Sequence, residues 1–166
     1  MTRVLLTGMS AVGKSTVVRS LVARGYVAVD ADEGDLSELV DVPETELTGV
    51  GGGQDWVWRE DRIAEILAQD VDPLFLSGCA ANQGRFYPQF DHIVLLSAPA
   101  AVIVERLATR TTNPFGKEPD QVARVLALIE TIEPLLRASA DLEIDTTAPL
   151  DEVVDAILRH AGLTQA

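Results

Sequence analysis

Near the start of the chain, Gly8-Met9-Ser10-Ala11-Val12-Gly13-Lys14-Ser15 fits the spacing Gly-x-x-x-x-Gly-Lys-[Ser/Thr]. These residue types at this spacing bind phosphate. Glycines let the backbone curl around a β-phosphate without Cβ clashes. Lys14 can reach the β- and γ-phosphates, and the Ser15 hydroxyl can hold Mg²⁺. Gly8, Ser10, Ala11, Val12, Gly13 and Thr16 complete the cradle. The expected ligand is ATP with Mg²⁺.

Transfer of a phosphoryl group needs more than a cradle. It needs a carboxylate for the metal, a base or orienting group for the acceptor, and cations for the migrating charge. Asp30-Ala31-Asp32 supplies two carboxylates one residue apart, so an extended chain points both to the same side. The expected division is Asp30 to metal and Asp32 to an acceptor hydroxyl; on sequence alone the two roles can be exchanged. Leu74-Phe75-Leu76-Ser77-Gly78 ends without Asp or Glu, so the metal carboxylate has to come from elsewhere. Arg106 and Arg110 stand four apart on one helix face, and Thr111-Thr112-Asn113-Pro114-Phe115-Gly116-Lys117 follows at once. A segment set off by proline and glycine can close as a lid. Arg110 is expected to neutralise transition-state charge, with Lys117 and Arg106 at the nucleotide; a solvated salt bridge is the competing reading for Arg106. Candidate acceptor contacts are Trp56, Arg59, Gly78, Asn82 and Arg85, any of which can equally be core or polar surface.

Those residues must be carried by a scaffold. A chain of 166 residues is one domain by the usual prior and can bury its own core. The net charge of −13 argues against nucleic acid and anionic membranes as partners, and makes any gathering of basic residues conspicuous. Cys79 stands alone, so no intrachain disulfide forms; it reads as a buried small residue in a cytoplasmic protein. No export or membrane segment is visible. His92 and His160 lie far apart beside no metal-ligand spacing and read as structural or surface residues.

Apolar strand-like runs alternate with helical periods. Strands are expected at 3–7, 26–30, 73–77, 92–97 and 142–145. Helices are expected at 15–24, 55–69, 99–110, 120–138 with a bend at Pro134, and 150–161. Residues 31–70 form an acceptor-binding segment with a hinge at Gly51-Gly52-Gly53, and 110–119 form the lid. The pattern predicts an α/β fold in three layers: a five-stranded parallel sheet with helices on both faces. The ligand crevice of such a sheet lies at the carboxyl ends of its strands, where Gly8–Lys14, Asp30, Asp32, Gly78–Arg85 and Thr146-Thr147 all fall.

Taken together, the chain resembles the small P-loop kinases of the shikimate kinase and nucleoside monophosphate kinase group. The resemblance rests on the Gly8–Ser15 loop, Asp30-Ala31-Asp32, Trp58-Arg59, Glu105-Arg106…Arg110, and Pro134-Leu135-Leu136…Ala140–Thr146. It implies that the Asp pair serves metal and acceptor hydroxyl, Arg59 grips substrate and Arg110 acts from the lid. It also implies that Thr147, Ala148 and Pro149 meet the adenine. Two departures set the chain apart. Shikimate kinases carry Gly-Gly-Gly after strand three, where this chain has Gly78-Cys79-Ala80-Ala81-Asn82. They carry a substrate-clamping arginine where this chain has Glu133, a charge reversal that argues against shikimate itself. Nor is the Asp-Gly-Phe-Pro-Arg-like loop of monophosphate kinases present. The expected function is ATP-dependent phosphorylation of a hydroxyl on a polyol, sugar acid or nucleoside-like metabolite. The alternatives are a nucleoside monophosphate kinase, in which Arg59 and Arg85 converge on a second phosphate, and a nucleotide-binding module without transfer.

Overall fold

The computed structural model describes residues 1–41, 54–111 and 117–163, with 54–56 described by backbone alone. The strands are β1 (Arg3–Thr7), β2 (Val27–Asp30), β3 (Ser37–Asp41), β4 (Gln54–Trp58), β5 (Leu74–Ser77), β6 (His92–Ser97) and β7 (Leu142–Asp145). The helices are α1 (Lys14–Ala23), α2 (Glu60–Leu67), α3 (Ala100–Thr109), α4 (Pro119–Thr131), α5 (Glu133–Ser139) and α6 (Leu150–His160). A 3-10 helix spans Gln83–Gln89.

Five strands form one parallel sheet in the order β2-β5-β1-β6-β7. The apolar runs of β1, β5 and β6 follow from burial on both faces, whereas β2 and β7 at the sheet edges are only partly buried. All of β1 is buried, and its side chains alternate between two cores. Val4 and Leu6 join Val17, Leu21, Ile103, Leu107 and Val154 under α1, α3 and α6. Leu5 joins Trp58, Ile63, Leu74, Leu76 and Phe86 under α2 and the 3-10 helix. Arg3 is buried at the start of β1, where its guanidinium donates to the carbonyls of Leu67, Gln69 and Val71 and caps the end of α2.

The sheet and flanking helices match the predicted three-layer fold. Several segments differ from expectation, among them Ser37–Asp41, a strand where none was expected. Gln54–Trp58 is not the start of a helix; it is a strand paired antiparallel with β3, Ser37 opposite Trp58 and Asp41 opposite Gln54. Aromatic and β-branched residues at Trp56-Val57-Trp58 favour that extended form. The helix expected over 120–138 is two helices meeting at Ile132, because Pro134 has no N–H to continue the ladder and begins a new first turn instead. The Gly51–Gly53 hinge and most of the expected lid, 112–116, lie outside the described residues. Among the described residues no helix is long and apolar enough to cross a membrane.

Candidate active site

The phosphate loop leaves β1 at Thr7 and enters α1 at Lys14, as a buried strand feeding a helix must. Gly13 takes φ 103 at the helix N-cap, a conformation that glycine adopts without strain. No side chain caps α1 and its first turn holds no acid, so its amide N–H groups point into open space. That is an anion cradle by construction.

The loop forms the floor of an open crevice of about 780 Å³ at the carboxyl ends of the strands. Ser10, Ala11, Val12, Gly13, Lys14, Ser15 and Thr16 line it, with Asp30, Asp32, Arg106 and Arg110 around them. On a chain of net charge −13, four basic side chains (Lys14, Arg19, Arg106, Arg110) line this one crevice. Lys14 Nζ donates to the carbonyls of Gly8 (2.6 Å) and Met9 (2.9 Å), so the ammonium is folded back over the loop.

The two aspartates are held differently. Asp30, last residue of β2, accepts the Ser15 hydroxyl at 2.9 Å on Oδ2 and the Asp32 N–H at 3.0 Å on Oδ1. Ser15 and Asp30 thus present adjacent oxygen donors of the kind Mg²⁺ takes. Asp32 turns the other way: both its oxygens accept the Cys79 N–H at 3.3 Å. Its carboxylate reaches solvent at the crevice mouth while protein surrounds its remaining sides. That desolvation raises its pKa above the usual carboxylate range; Asp30 adds to the rise, and Lys14, the Cys79 N–H and the Trp58 indole oppose it. Trp58 is 1 % exposed, and its indole N–H leans toward Asp32 without completing a hydrogen bond. Gly78 separates them: a Cβ there would stand 2.9 Å from Asp32 Oδ1 and 3.0 Å from Trp58 Nε1.

Arg106 is not on a solvated salt-bridge face. It donates to the Ala11 carbonyl (3.2 Å), the Thr146 hydroxyl (3.0 Å) and the Thr146 carbonyl (3.0 Å), tying the phosphate loop to the segment after β7. Arg110 ends α3 and lines the crevice; burial lowers its pKa from the ordinary guanidinium value. Lys117 is placed elsewhere than expected. Its ammonium donates to the carbonyls of Ala108 (3.0 Å) and Arg110 (2.7 Å), satisfying the open C-terminal turn of α3. Beyond β7, Thr146 and Ala148 line the crevice. Thr147 instead spends its N–H and hydroxyl on Asp145, and Pro149 is the N-cap of α6.

The expected acceptor residues divide. Gly78 borders Asp32, and Arg59 starts α2 with its guanidinium 3.4 Å from the Asp35 carbonyl. The Trp56 side chain lies outside the described residues. Asn82 is a staple rather than an open contact: its amide accepts from Trp58 N–H and donates to Trp58 O, both at 2.9 Å. Arg85 lies exposed and pairs with Glu60 at 3.2 Å. Asn82 and Arg85 sit at and in the 3-10 helix where a polar loop was expected. Cys79 is half-buried rather than buried, and contributes its backbone N–H. The strand pattern put Thr146 and the segment from Gly78 at the crevice, but not their partners: Arg106 for Thr146 and Asp32 for the Cys79 N–H.

Comparison with solved structures places this architecture among small kinases. Shikimate kinase from Bacteroides thetaiotaomicron superposes with a TM-score of 0.67 at 18 % identity, covering 98 % of this chain and 99 % of that one. Shikimate kinase from Acinetobacter baumannii, in complex with shikimate, gives 0.65 at 17 % identity over 96 % and 92 %. A gluconokinase from Sinorhizobium meliloti 1021 gives 0.63 at 22 % identity over 97 % and 91 %. No curated protein matches the chain by sequence. The AAA domain family model matches residues 4–127. By that match and by its parallel sheet around the phosphate loop, the chain belongs to the AAA domain family and carries the P-loop fold of the small kinases.

Proposed function

We propose that the protein is a small-molecule kinase that transfers the γ-phosphate of ATP to a hydroxyl group. The observation that carries this reading is the divergence of the two aspartates. Asp30 is engaged with Ser15, whereas Asp32 faces away toward Gly78 and Trp58 with its pKa raised. Such a carboxylate suits taking a proton from an alcohol, a step that an ionised phosphate acceptor does not need. Ser15 and Asp30 would hold Mg²⁺, which supplies charge neutralisation at the phosphates. Lys14 would release the Gly8 and Met9 carbonyls and turn to the phosphates, and Arg110 would meet the developing charge from the crevice wall. Arg106 keeps the phosphate loop and the Thr146 segment in register.

The pairing of Arg85 with Glu60 weighs against a second phosphate site, since that guanidinium is already neutralised on an exposed surface. The gluconokinase and shikimate kinases similar in fold are named for hydroxyl-bearing acids, which supports an acceptor of the polyol or sugar-acid class.

The test is ADP release from Mg-ATP over a panel of sugars, sugar acids, polyols, nucleosides and nucleoside monophosphates. An alcohol class that stimulates release, with Asp32→Asn reducing kcat by roughly 10²–10⁴-fold, is the expected result. Stimulation by monophosphates alone, with Asp32→Asn nearly fully active, would overturn it.

A further inference from the structure

Away from the crevice, three potential ligands converge that the sequence keeps far apart. His92 is the first residue of β6, Asp141 immediately precedes β7, and His160 is the last residue of α6. Since β6 and β7 are parallel, both start at the edge of the sheet opposite the phosphate loop. One ligand atom from each of the three side chains lies within 4.8 Å of the others. His160 Nε2 stands 2.6 Å from Asp141 Oδ1, and the two imidazole rings meet edge to face with centroids 5.0 Å apart.

The carboxylate is oriented from behind: Asp141 Oδ2 accepts the Ile93 N–H at 2.9 Å, leaving Oδ1 toward the imidazoles. Metal ligands are commonly fixed by such a backbone partner. Among the described residues the His92 ring makes no hydrogen bond, so its nitrogens are available. A hydrogen-bonded His160–Asp141 pair is complete without His92; a metal site is not. The site also lies at the C-terminus of α6, where the helix dipole favours a cation. Solvent reaches it, with His160 28 % and Asp141 44 % exposed.

We propose that His92, Asp141 and His160 bind one divalent transition ion, zinc foremost, as a clasp joining α6 to the starts of β6 and β7. Two imidazoles and one carboxylate are a donor set for zinc, with water in the fourth position. Bond lengths of about 2.0–2.1 Å require ligand atoms roughly 3.4 Å apart, which side-chain rotation supplies from the present spacing. The site takes no part in phosphoryl transfer, because the sheet separates it from the crevice.

The experiment uses the full chain without an affinity tag, stripped with chelator and titrated with zinc in excess Mg²⁺, which occupies the crevice carboxylates. Calorimetry is expected to give one saturable equivalent. His92→Ala and His160→Ala should each weaken it at least by the roughly 10–100-fold that loss of even an outer-shell partner costs. Asp30→Asn should leave it unchanged. Cobalt should give the absorption bands of a low-coordinate nitrogen-oxygen site, lost in His92→Ala. Should His160→Ala fail to fold, His92→Ala and the cobalt spectrum decide alone. At a hundredfold excess over Kd, zinc should raise Tm by roughly 5–10 °C. Absence of saturable binding, binding indifferent to both histidines, or binding lost with Asp30→Asn would overturn the proposal.

Discussion

Substituting Gly78 by alanine tests the proposed role of Asp32 without touching a charged group. The added Cβ would lie 2.9 Å from Asp32 Oδ1, and 3.0 Å from both Cζ2 and Nε1 of Trp58. Trp58 is fully packed and held at both ends of its backbone by Asn82, so it cannot yield. The carboxylate is the mobile partner and must move by about 0.5 Å to restore ordinary contact at 3.4 Å. Misplacement of a reacting group by about 1 Å costs ~10²-fold in rate, so half of that predicts a fall in kcat of about 10-fold. Overpacking should cost about 1–3 kcal/mol of stability, leaving a folded protein. Affinity for ATP should hold, because the nearest atoms to the added Cβ belong to Asp32 and Trp58 rather than to the phosphate loop or Arg106. The assay is initial-rate ADP release with the acceptor identified in the panel, alongside ATP binding by calorimetry and a thermal melt. A folded Gly78→Ala protein with kcat within about twofold of wild type would refute the placement of Asp32 at the reacting hydroxyl. Parallel loss of ATP affinity would show general distortion instead.

Asp32→Asn should melt at a higher temperature than wild type at neutral pH: a carboxylate whose folded pKa is raised contributes stability only below its unfolded pKa and loses it as pH rises through the folded value. Melts compared at low pH, where both side chains are neutral, should coincide. For the same reason the acidic limb of kcat in wild type should lie above the usual carboxylate range. Glu143 behaves oppositely, its pKa held low chiefly by Arg137 and then by Ser97, so Glu143→Gln should destabilise at neutral pH and the deficit should vanish as acid protonates the wild type. Because that pair is more than a third exposed, the loss should stay under about 1 kcal/mol, read by urea denaturation. Arg106→Ala should weaken ATP binding by roughly 10-fold or more through loss of three hydrogen bonds between the loop and Thr146, with circular dichroism unchanged. Gly8→Ala should fail to fold, because its Cβ would stand 2.3 Å from the backbone oxygen of Leu96; a native far-ultraviolet spectrum would contradict that.

The parallel sheet and the phosphate loop were legible because their signals are local: continuous apolar runs such as Val4-Leu5-Leu6, and a loop whose residues act through adjacent backbone. β4 was hidden because Val57, Ile63, Ile66 and Leu67 mimic one helical stripe, and because no strand was expected at 37–41, where its partner β3 lies. Lys117 was read by charge alone, whereas the open carbonyls of α3 decide where its ammonium goes. Arg106 was ambiguous for a related reason: its partners Ala11 and Thr146 become neighbours only once β1, β6 and β7 are side by side. The approach of His92 to His160 requires α6 to return along the sheet, which no spacing encodes.

The position of β1 at the centre of the sheet has a consequence for synthesis. The phosphate loop is translated before β5 and β6, yet Gly8 rests against Leu96, and β1 is flanked by those two strands. A chain growing on the ribosome therefore carries the loop sequence long before it owns the loop's shape. Until β6 has emerged the nascent protein is blind to nucleotide, and the Arg106 anchor waits longer still, for Thr146. Retention of ATP by stalled chains of increasing length would mark, strand by strand, when the sheet closes around its centre.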